Sequence, residues 1–234
     1  IGPFVYSTKE VNTDYIETRI YEYYNDNEIY SKLELLFNGK TCLPRMINNI
    51  SNHKDRCDFI NHILKEQFDT GRKILILSDR RGYLDQTKKW ANTNLNDQCA
   101  GLYVGGMKPD ELRESQEKDI ILGTFSMASE GMDIPKLNTI ILASPKSDVV
   151  QSIGRILREK ADVRKFHPLI IDIKDTHSNF AVFNKQCEKR IKYYKKCNHD
   201  IKIYKQDGII EKVENKTKKK KKVEVYNMNE CLLD

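Results

Sequence analysis

Short apolar strands alternate with helices through the middle of the chain, and this alternation constrains the fold more than any other feature. Most of the strands are apolar on both faces, which is typical of a parallel sheet covered by helices. The predicted strands lie at 73–77, 101–104, 120–122, 139–143 and 169–173. The predicted helices lie at 55–69, 83–90, 109–116, 147–158 and 179–194. The right-handed crossover rule then predicts a doubly wound α/β fold.

Three regions follow from this pattern. Residues 1–45 are predicted to be an entry segment with an added strand at 16–24, and Pro44 is expected to end any helix attempted there. Residues 46–200 form the predicted α/β domain, and residues 201–234 a basic C-terminal tail. Ligands of such sheets bind at the carboxyl ends of the strands. The residues that follow each strand are therefore the candidates for the site.

Charge is concentrated near the C-terminus. The sequence has 40 Lys+Arg and 34 Asp+Glu, and residues 216–222 alone hold six lysines. Without that tract the rest of the chain is neutral, which argues against a protein that wraps DNA through a uniformly basic surface. The tract, with Lys218, Lys219 and Lys220 at its centre, is predicted to be an auxiliary DNA tether or a nuclear-import patch.

Several classes of protein are excluded at this stage. No apolar run approaches the roughly 20 residues of a membrane span, so no membrane partner is expected. The six cysteines form no Cys-x-x-Cys pair, and we predict free thiols and no metal site formed by this chain alone. The segment Asn38-Gly39-Lys40-Thr41 resembles the end of a phosphate-binding P-loop. Glu34 occupies the position of the first glycine, so a plain Asn-Gly turn is the favoured interpretation.

Two polar segments carry the chemistry. The first, directly after a strand, runs from Gly123 to Pro135 and reads Gly-Thr-Phe-Ser-Met-Ala-Ser-Glu-Gly-Met-Asp-Ile-Pro. Its hydroxyl groups can hold nucleic-acid phosphates without reading sequence. The second is Gln151-x-x-Gly154-Arg155-x-x-Arg158, which places its glutamine and two arginines on one helix face. Planar guanidinium groups suit phosphate oxygens, although a solvated basic helix end is the alternative.

Together the two segments resemble motifs V and VI of superfamily 2 helicases, and residues 74–81 resemble motif IV in the same order. The resemblance covers about residues 46–198. It implies the RecA-like fold of a second helicase lobe, which is a P-loop NTPase fold without its own P-loop. It also implies ATP and Mg²⁺ as cofactors, shared with an N-terminal RecA-like lobe. The P-loop lysine and the metal-binding acidic box of that lobe have no match in this sequence.

The resemblance assigns roles to individual residues. Arg155 and Arg158, with Gln151, are the implied catalytic residues, because an arginine finger can contribute about 10³–10⁵ in rate. Gly131, Asp133 and Gly154 lie on the implied nucleotide side. Asp133 could instead be a turn residue before Pro135. The implied contacts to the nucleic-acid backbone are Ser78, Arg80, Arg81 and Thr124, with Ser126 added from its hydroxyl group. Gly105 is either part of an open loop that admits the strand or simply part of a turn.

A narrower resemblance rests on residues 46–50, 77–80, 128–131 and 169–175. These segments are similar to the poxvirus-type transcript-release helicases of large cytoplasmic DNA viruses. That kinship implies DNA as partner, a role in viral transcription, and a location in the cytoplasmic viral factory or the virion, with the nucleus as the alternative. A stand-alone nucleic-acid-binding module without ATPase activity is the competing function.

Overall fold

The computed structural model describes residues 15–129, 132, 134, 136–154 and 164–213. Its strands are β1 Glu17–Tyr23, β2 Ile74–Leu77, β3 Ala100–Tyr103, β4 Ile120–Gly123, β5 Thr139–Leu142, β6 Leu169–Asp175, β7 Asp200–Tyr204 and β8 Ile210–Val213. Its helices are α1 Leu43–Asn52, α2 Lys54–Asp69, α3 Arg81–Asn94, α4 Pro109–Glu117, α5 Phe125–Ser129, α6 Val150–Ile153 and α7 Ala181–Lys196. A short 3-10 turn, Ser178–Phe180, precedes α7.

All eight strands belong to one sheet, in the order β3-β4-β2-β5-β6-β1-β7-β8. Every neighbouring pair is parallel except β7 and β8, which are antiparallel. The predicted doubly wound α/β fold is confirmed, and the four central strands β2, β4, β5 and β6 are almost completely buried along their length. Burial on both faces is the reason that these strands lack an alternating pattern.

The predicted added strand lies inside the sheet rather than at its margin. β1 pairs with β6 on one side and with β7 on the other, so residues from the entry segment form part of the central core. Ile20 and Thr18 are fully buried there. The sheet also continues past residue 200 through β7 and β8, which corrects the assignment of residues 201–213 to the tail. The boundaries at 45 and 200 themselves stay a prediction.

The expectation for Pro44 was wrong. Pro44 lies in the first turn of α1, where its missing N–H removes no helical hydrogen bond and its fixed φ suits the helix. The helix buries Met46, Ile47 and Ile50 against Tyr30 and other aromatic side chains. The spacing of the apolar residues after Pro44 fits a helix that begins at this proline.

Helices cover both faces of the sheet. α2 and α3 pack on one face around Ile74 and Ile76, while α4 to α7 pack on the other around Leu75 and Leu77. The approach of α4 to β3 is close enough to require a glycine. A Cβ on Gly101 would lie 2.9 Å from the Ser115 backbone. Within the described part of the chain, no helix has the length and apolar character needed to cross a membrane.

Candidate nucleotide and nucleic-acid interface

The loops that resemble motifs IV, V and VI follow β2, β4 and β5. These three strands are direct neighbours with β2 in the middle, and they run parallel, so the loops emerge together at one edge of the sheet. We call this the carboxyl edge. The sheet order thus brings the three loops next to each other at the edge where the sequence predicts the site.

Thr124 and Ser126 lie together in the loop after β4. Their hydroxyl oxygens are 3.2 Å apart, and the Met127 amide donates to Thr124 Oγ1 at 3.5 Å. Thr124 thus caps the short helix α5, which the sequence analysis treated as a loop. Ser126 is exposed and Thr124 is half-buried. The hydroxyl groups of this pair can donate hydrogen bonds to an anionic oxygen, which is what the predicted contact to the nucleic-acid backbone requires.

Ser78, Arg80 and Arg81 differ in how free their side chains are. Ser78 is fully buried, and its hydroxyl accepts a hydrogen bond from the Arg80 amide at 3.2 Å. The Arg80 guanidinium donates to the carbonyl oxygen of Pro44 at 3.2 Å, which ties the loop after β2 to the start of α1. Arg81 is exposed. Arg81 is therefore the one of these three whose side chain extends into solvent, while Ser78 shapes the loop.

Gly105 and Gly106 form a turn after β3, and both are exposed. Gly106 has φ of +86°, a conformation that L side chains rarely adopt, and a Cβ on Gly105 would meet no atom within 4 Å. The turn interpretation is confirmed by this geometry. The space beside Gly105 is also compatible with a passing strand, and that part stays a prediction.

A cavity of about 290 Å³ lies between the loops after β2, β4 and β5. It is lined by Asp79, Phe125, Ser126, Ser129, Lys146, Asp148, Val149, Gln151 and Ser152. It joins Ser126, assigned to the nucleic-acid side, with Gln151, assigned to catalysis. The cavity therefore lies where the predicted nucleic-acid side and the predicted catalytic side of the site meet.

Lys146 is the residue that the sequence analysis missed. Its ammonium group lies 3.1 Å from Asp79 Oδ2 and 5.3 Å from the centre of the Phe125 ring. Asp79 is fixed in turn, because its amide donates to Ser144 Oγ at 3.1 Å. The lysine thereby connects the loops after β2, β4 and β5. Its position two residues after Ser144, at the carboxyl end of a strand, was the available signal.

Gln151 and Gly154 are exposed at the start of the second motif. A Cβ on Gly154 would meet nothing within 4 Å, so no close backbone approach within the described residues explains this glycine. Space for ATP or for the other lobe stays a prediction. The remaining assigned residues lie outside the described residues: Gly131, Asp133, Arg155, Arg158, Lys218, Lys219 and Lys220.

A buried ion pair supports the loop after β5, which contains Lys146, from one face of the sheet. Arg190 on α7 donates from Nε and Nη2 to the two carboxylate oxygens of Asp172 on β6, each at 2.8 Å. The Tyr194 hydroxyl also donates to Asp172, at 2.9 Å. The third guanidinium nitrogen, Nη1, donates to the carbonyl oxygen of Lys146. The ion pair therefore fixes the backbone of the residue whose ammonium group lines the cavity.

A second ion pair supports the same loop from the opposite face. Asp175 lies three residues after Asp172 on β6, so the two carboxylates point to opposite sides of the sheet. Arg56 donates to Asp175 at 2.6 and 2.9 Å, and also to the carbonyl oxygen of Ala143 at 3.0 Å. The Tyr30 hydroxyl donates to Asp175 at 2.9 Å. Each pair thus combines an arginine, an aspartate and a tyrosine with one loop carbonyl.

Burial explains why these groups stay in place. Arg56 and Asp175 are fully buried, and the Arg190–Asp172 pair is at most 2% exposed. Burial, together with the adjacent Asp172 carboxylate, raises the pKa of the Tyr194 hydroxyl well above its usual range, so this group stays a hydrogen-bond donor. Removing one partner of such a pair is costly, because the other charge is left buried and uncompensated. The loop after β5 is held by groups that cannot easily move.

The described lining of the cavity carries mixed charge. Lys146 is the one cation among the lining residues, and it faces two carboxylates, Asp79 and Asp148. Its ion pair with Asp79, at 3.1 Å, is partly exposed to water and hence weak. These residues do not form a phosphate site by themselves, so the binding of ATP stays a prediction that depends on groups outside the described residues. The P-loop and metal ligands that a complete nucleotide site needs have no match in this sequence.

The fold and the order of these loops define a class of protein, the C-terminal RecA-like lobe of a helicase. Residues 55–160 match the family model described as the helicase conserved C-terminal domain. The matched segment is 106 of the 234 residues, and the chain is similar to proteins of large DNA viruses that are named as helicases.

Among those relatives is the protein of Acanthamoeba polyphaga mimivirus named "Putative ATP-dependent RNA helicase L396". It is 36% identical over 211 residues, which is 87% of this chain and 39% of the relative. The chain thus spans about two fifths of the length of that protein. Two solved structures share the fold. T4 UvsW has a TM-score of 0.61 at 18% identity, with 81% of this chain and 42% of that one covered.

The second solved structure is the C-terminal domain of the DEAD-box protein Dbp5. Its TM-score is 0.53 at 12% identity, and the match covers 84% of this chain and 93% of that domain. At such low identity these two structures support the fold alone. They confirm the prediction of a RecA-like second helicase lobe.

Proposed function

We propose that this chain supplies the second lobe of an ATP-dependent helicase, contacting the nucleic-acid backbone on one side and ATP bound by a first lobe on the other. The observation that carries the proposal is the cavity between Ser126 and Gln151. It brings the segment resembling motif V within reach of the segment resembling motif VI. A movement of either loop would therefore change the position of side chains on the other.

The proposed roles follow the chemistry of the side chains. Thr124, Ser126 and Arg81 would hold the phosphates of a nucleic-acid strand without reading its sequence. Bound ATP with Mg²⁺ would supply the phosphoryl group whose transfer develops negative charge. Arg155 and Arg158 would stabilise that charge, and Gln151 would help to orient the reacting groups. Lys146 would keep the loops after β2, β4 and β5 together while the strand is held and released.

The nucleic acid is the finer part of the proposal. The resemblance to transcript-release helicases suggests DNA, whereas the mimivirus relative is named as an RNA helicase. The hydroxyl and guanidinium groups at the carboxyl edge would contact phosphates, which both polymers share. We propose DNA as substrate in viral transcription, in the cytoplasmic factory or the virion, and the test compares both polymers directly.

The experiment measures ATP hydrolysis stimulated by single-stranded DNA or RNA, first with this chain and then with the chain joined to the rest of the mimivirus relative, which we propose to supply the upstream first lobe. We expect none from this chain alone and activity from the joined protein. Arg158→Ala should lower kcat by about 10³-fold or more, whereas Lys165→Ala, an exposed cation, should not.

Stimulation by RNA alone would refute DNA as substrate. Robust hydrolysis by the isolated chain would refute the proposal that ATP hydrolysis needs the first lobe. Nucleic-acid binding without ATPase activity in the joined protein would indicate a stand-alone binding module.

A further inference from the structure

A small hairpin with an apolar tip projects between β1 and α1. We call residues 33–42 the apolar hairpin. The Leu36 amide donates to the Lys40 carbonyl at 2.7 Å, and the Cys42 amide donates to the Glu34 carbonyl at 2.7 Å. Gly39 turns the chain with φ of +75°. These bonds close the loop by themselves, so its shape does not depend on apolar contacts at the tip.

The tip exposes apolar side chains that a folded chain normally buries. Leu35 is 48% exposed and Leu36 is 45% exposed, while Phe37 is 112% exposed, more than in an extended reference chain. Within the described residues, Phe37 has no aromatic or cationic partner of its own. Single exposed apolar residues are common, but three in a row on a hydrogen-bonded hairpin form a contact surface.

The position of the hairpin relates it to the carboxyl edge. β1 is parallel to β6, so the segment that follows β1 leaves the sheet at the same edge as the loops after β2, β4 and β5. The hydrogen bond from Arg80 to the Pro44 carbonyl connects the loop after β2 to the start of α1, two residues beyond the hairpin. The hairpin therefore adjoins the part of the site that is proposed to follow a nucleic-acid strand.

Charge around the hairpin favours a polyanion. Lys32, Lys40 and Arg45 flank the apolar tip, against the single acidic residue Glu34. Glu34 is already occupied, because Lys32 lies 3.1 Å from it and the Asn49 amide donates to it at 3.3 Å. Lys40, directly beside the turn, is exposed. Exposed leucines alone would suit a contact with another protein. A projecting aromatic ring with cations beside it suits a nucleotide, because the ring can stack on the base and the cations can pair with its phosphates.

We propose that the apolar hairpin is a second nucleic-acid contact, in which the Phe37 ring stacks on a base of a single strand and Lys40 pairs with a neighbouring phosphate. The inference rests on the proposed function, since it needs a strand at the carboxyl edge. Stacking uses the face that every base shares, so the contact is independent of sequence. The stacked base would be separated from its neighbouring bases, close to the backbone contacts proposed for Thr124 and Arg81.

The test uses the 234-residue chain and single-stranded oligonucleotides that carry 2-aminopurine, whose fluorescence changes on stacking. The affinity is measured by anisotropy for Phe37→Ala, Phe37→Leu and Phe37→Trp. We expect the alanine and leucine variants to lose affinity by about 5- to 150-fold and to lose the fluorescence change. Phe37→Trp should keep both. Ile29→Ala, another exposed apolar residue, is the matched control and should bind like the unchanged chain.

The outcomes separate this inference from the proposed function. If Thr124→Val weakens binding and Phe37→Ala does not, the hairpin inference is refuted and the proposed function is not. If the unchanged chain binds no oligonucleotide at low salt, both are refuted. If leucine replaces phenylalanine without loss, or if Phe37→Ala weakens only the association with the upstream lobe, the hairpin is a protein contact and the inference is wrong.

Discussion

Arg190 offers the most direct test of how the loop after β5 is held. Replacing it by methionine keeps most of the side-chain volume but leaves Asp172 buried, with the Tyr194 hydroxyl as its remaining partner shown here. Breaking a buried ion pair in this way costs about 3–5 kcal/mol. For a slope of roughly 2.5 kcal/mol per M of urea, the unfolding midpoint should fall by about 1.2–2 M.

A double-mutant cycle separates the pair from the rest of the core. Asp172→Leu combined with Arg190→Met removes both charges, and buried pairs replaced by apolar residues are often neutral in stability. The double variant should therefore recover most of the loss, so the coupling energy should approach the summed cost of the two single variants. Lys189→Met, an exposed position on the same helix, is the matched control and should change the free energy of unfolding by less than about 0.5 kcal/mol.

The same variants also test the link to the site. The double variant lacks the hydrogen bond from Arg190 to the Lys146 carbonyl. In the joined two-lobe protein it should therefore show reduced ATPase activity although it is folded. The reasoning is refuted if Arg190→Met costs less than about 1 kcal/mol, or if the double variant is as unstable as the sum of the two single ones. Full activity of a stable double variant would remove the positioning role.

Two further predictions concern stability. His199 is 2% exposed, lies 3.0 Å from Thr18 Oγ1, and stacks on Tyr194, and its burial lowers its pKa to about 4. The folded state thus disfavours the protonated ring, so stability is complete above the ordinary pKa of about 6.5 and falls as the pH drops towards 4, by at most about 3 kcal/mol. Urea unfolding between pH 7 and 4.5 should show this loss, and His199→Phe should reduce the slope while His62→Gln should not. Gly101→Ala should lower the unfolding free energy by about 1–3 kcal/mol, because the new Cβ meets the Ser115 backbone at 2.9 Å. An unchanged thermal midpoint would contradict the close packing of α4, and Gly105→Ala, where the space is open, is its control.

The local elements of the α/β core could be predicted because each one carries its own signal. The runs at Ile74–Leu77 and Ile120–Gly123 are buried on both faces, so their uniform apolar character follows from the parallel sheet itself. The helix over 109–116 begins at a proline with acidic residues behind it, and α4 begins at Pro109. The motif loops were placed at the carboxyl edge for the same reason.

Two features depart from what their local patterns predict. A proline can end a helix, but Pro44 lies in the first turn of α1, a position that a proline also suits. The strands after residue 200 were hidden because β7 and β8 are only partly buried, so charged residues alternate with apolar ones over a short stretch. Short strands of this kind resemble a polar tail in composition. β7 pairs with the buried strand β1, and β8 pairs with β7 at the edge of the sheet, and this pairing is what makes them strands.

The sequence by itself determined the elements, the fold class and the order of the motif loops, since these depend on patterns within about 15 residues. Only the tertiary structure decided what lies beside what. It placed β1 between β6 and β7, where Glu17 pairs with Leu169, 152 positions away, and with Asp200, 183 positions away. It also brought Arg56 and Arg190 to opposite sides of β6, where each fixes a carbonyl of one loop. Contacts between distant segments follow from packing and burial, and no local pattern of residues records them.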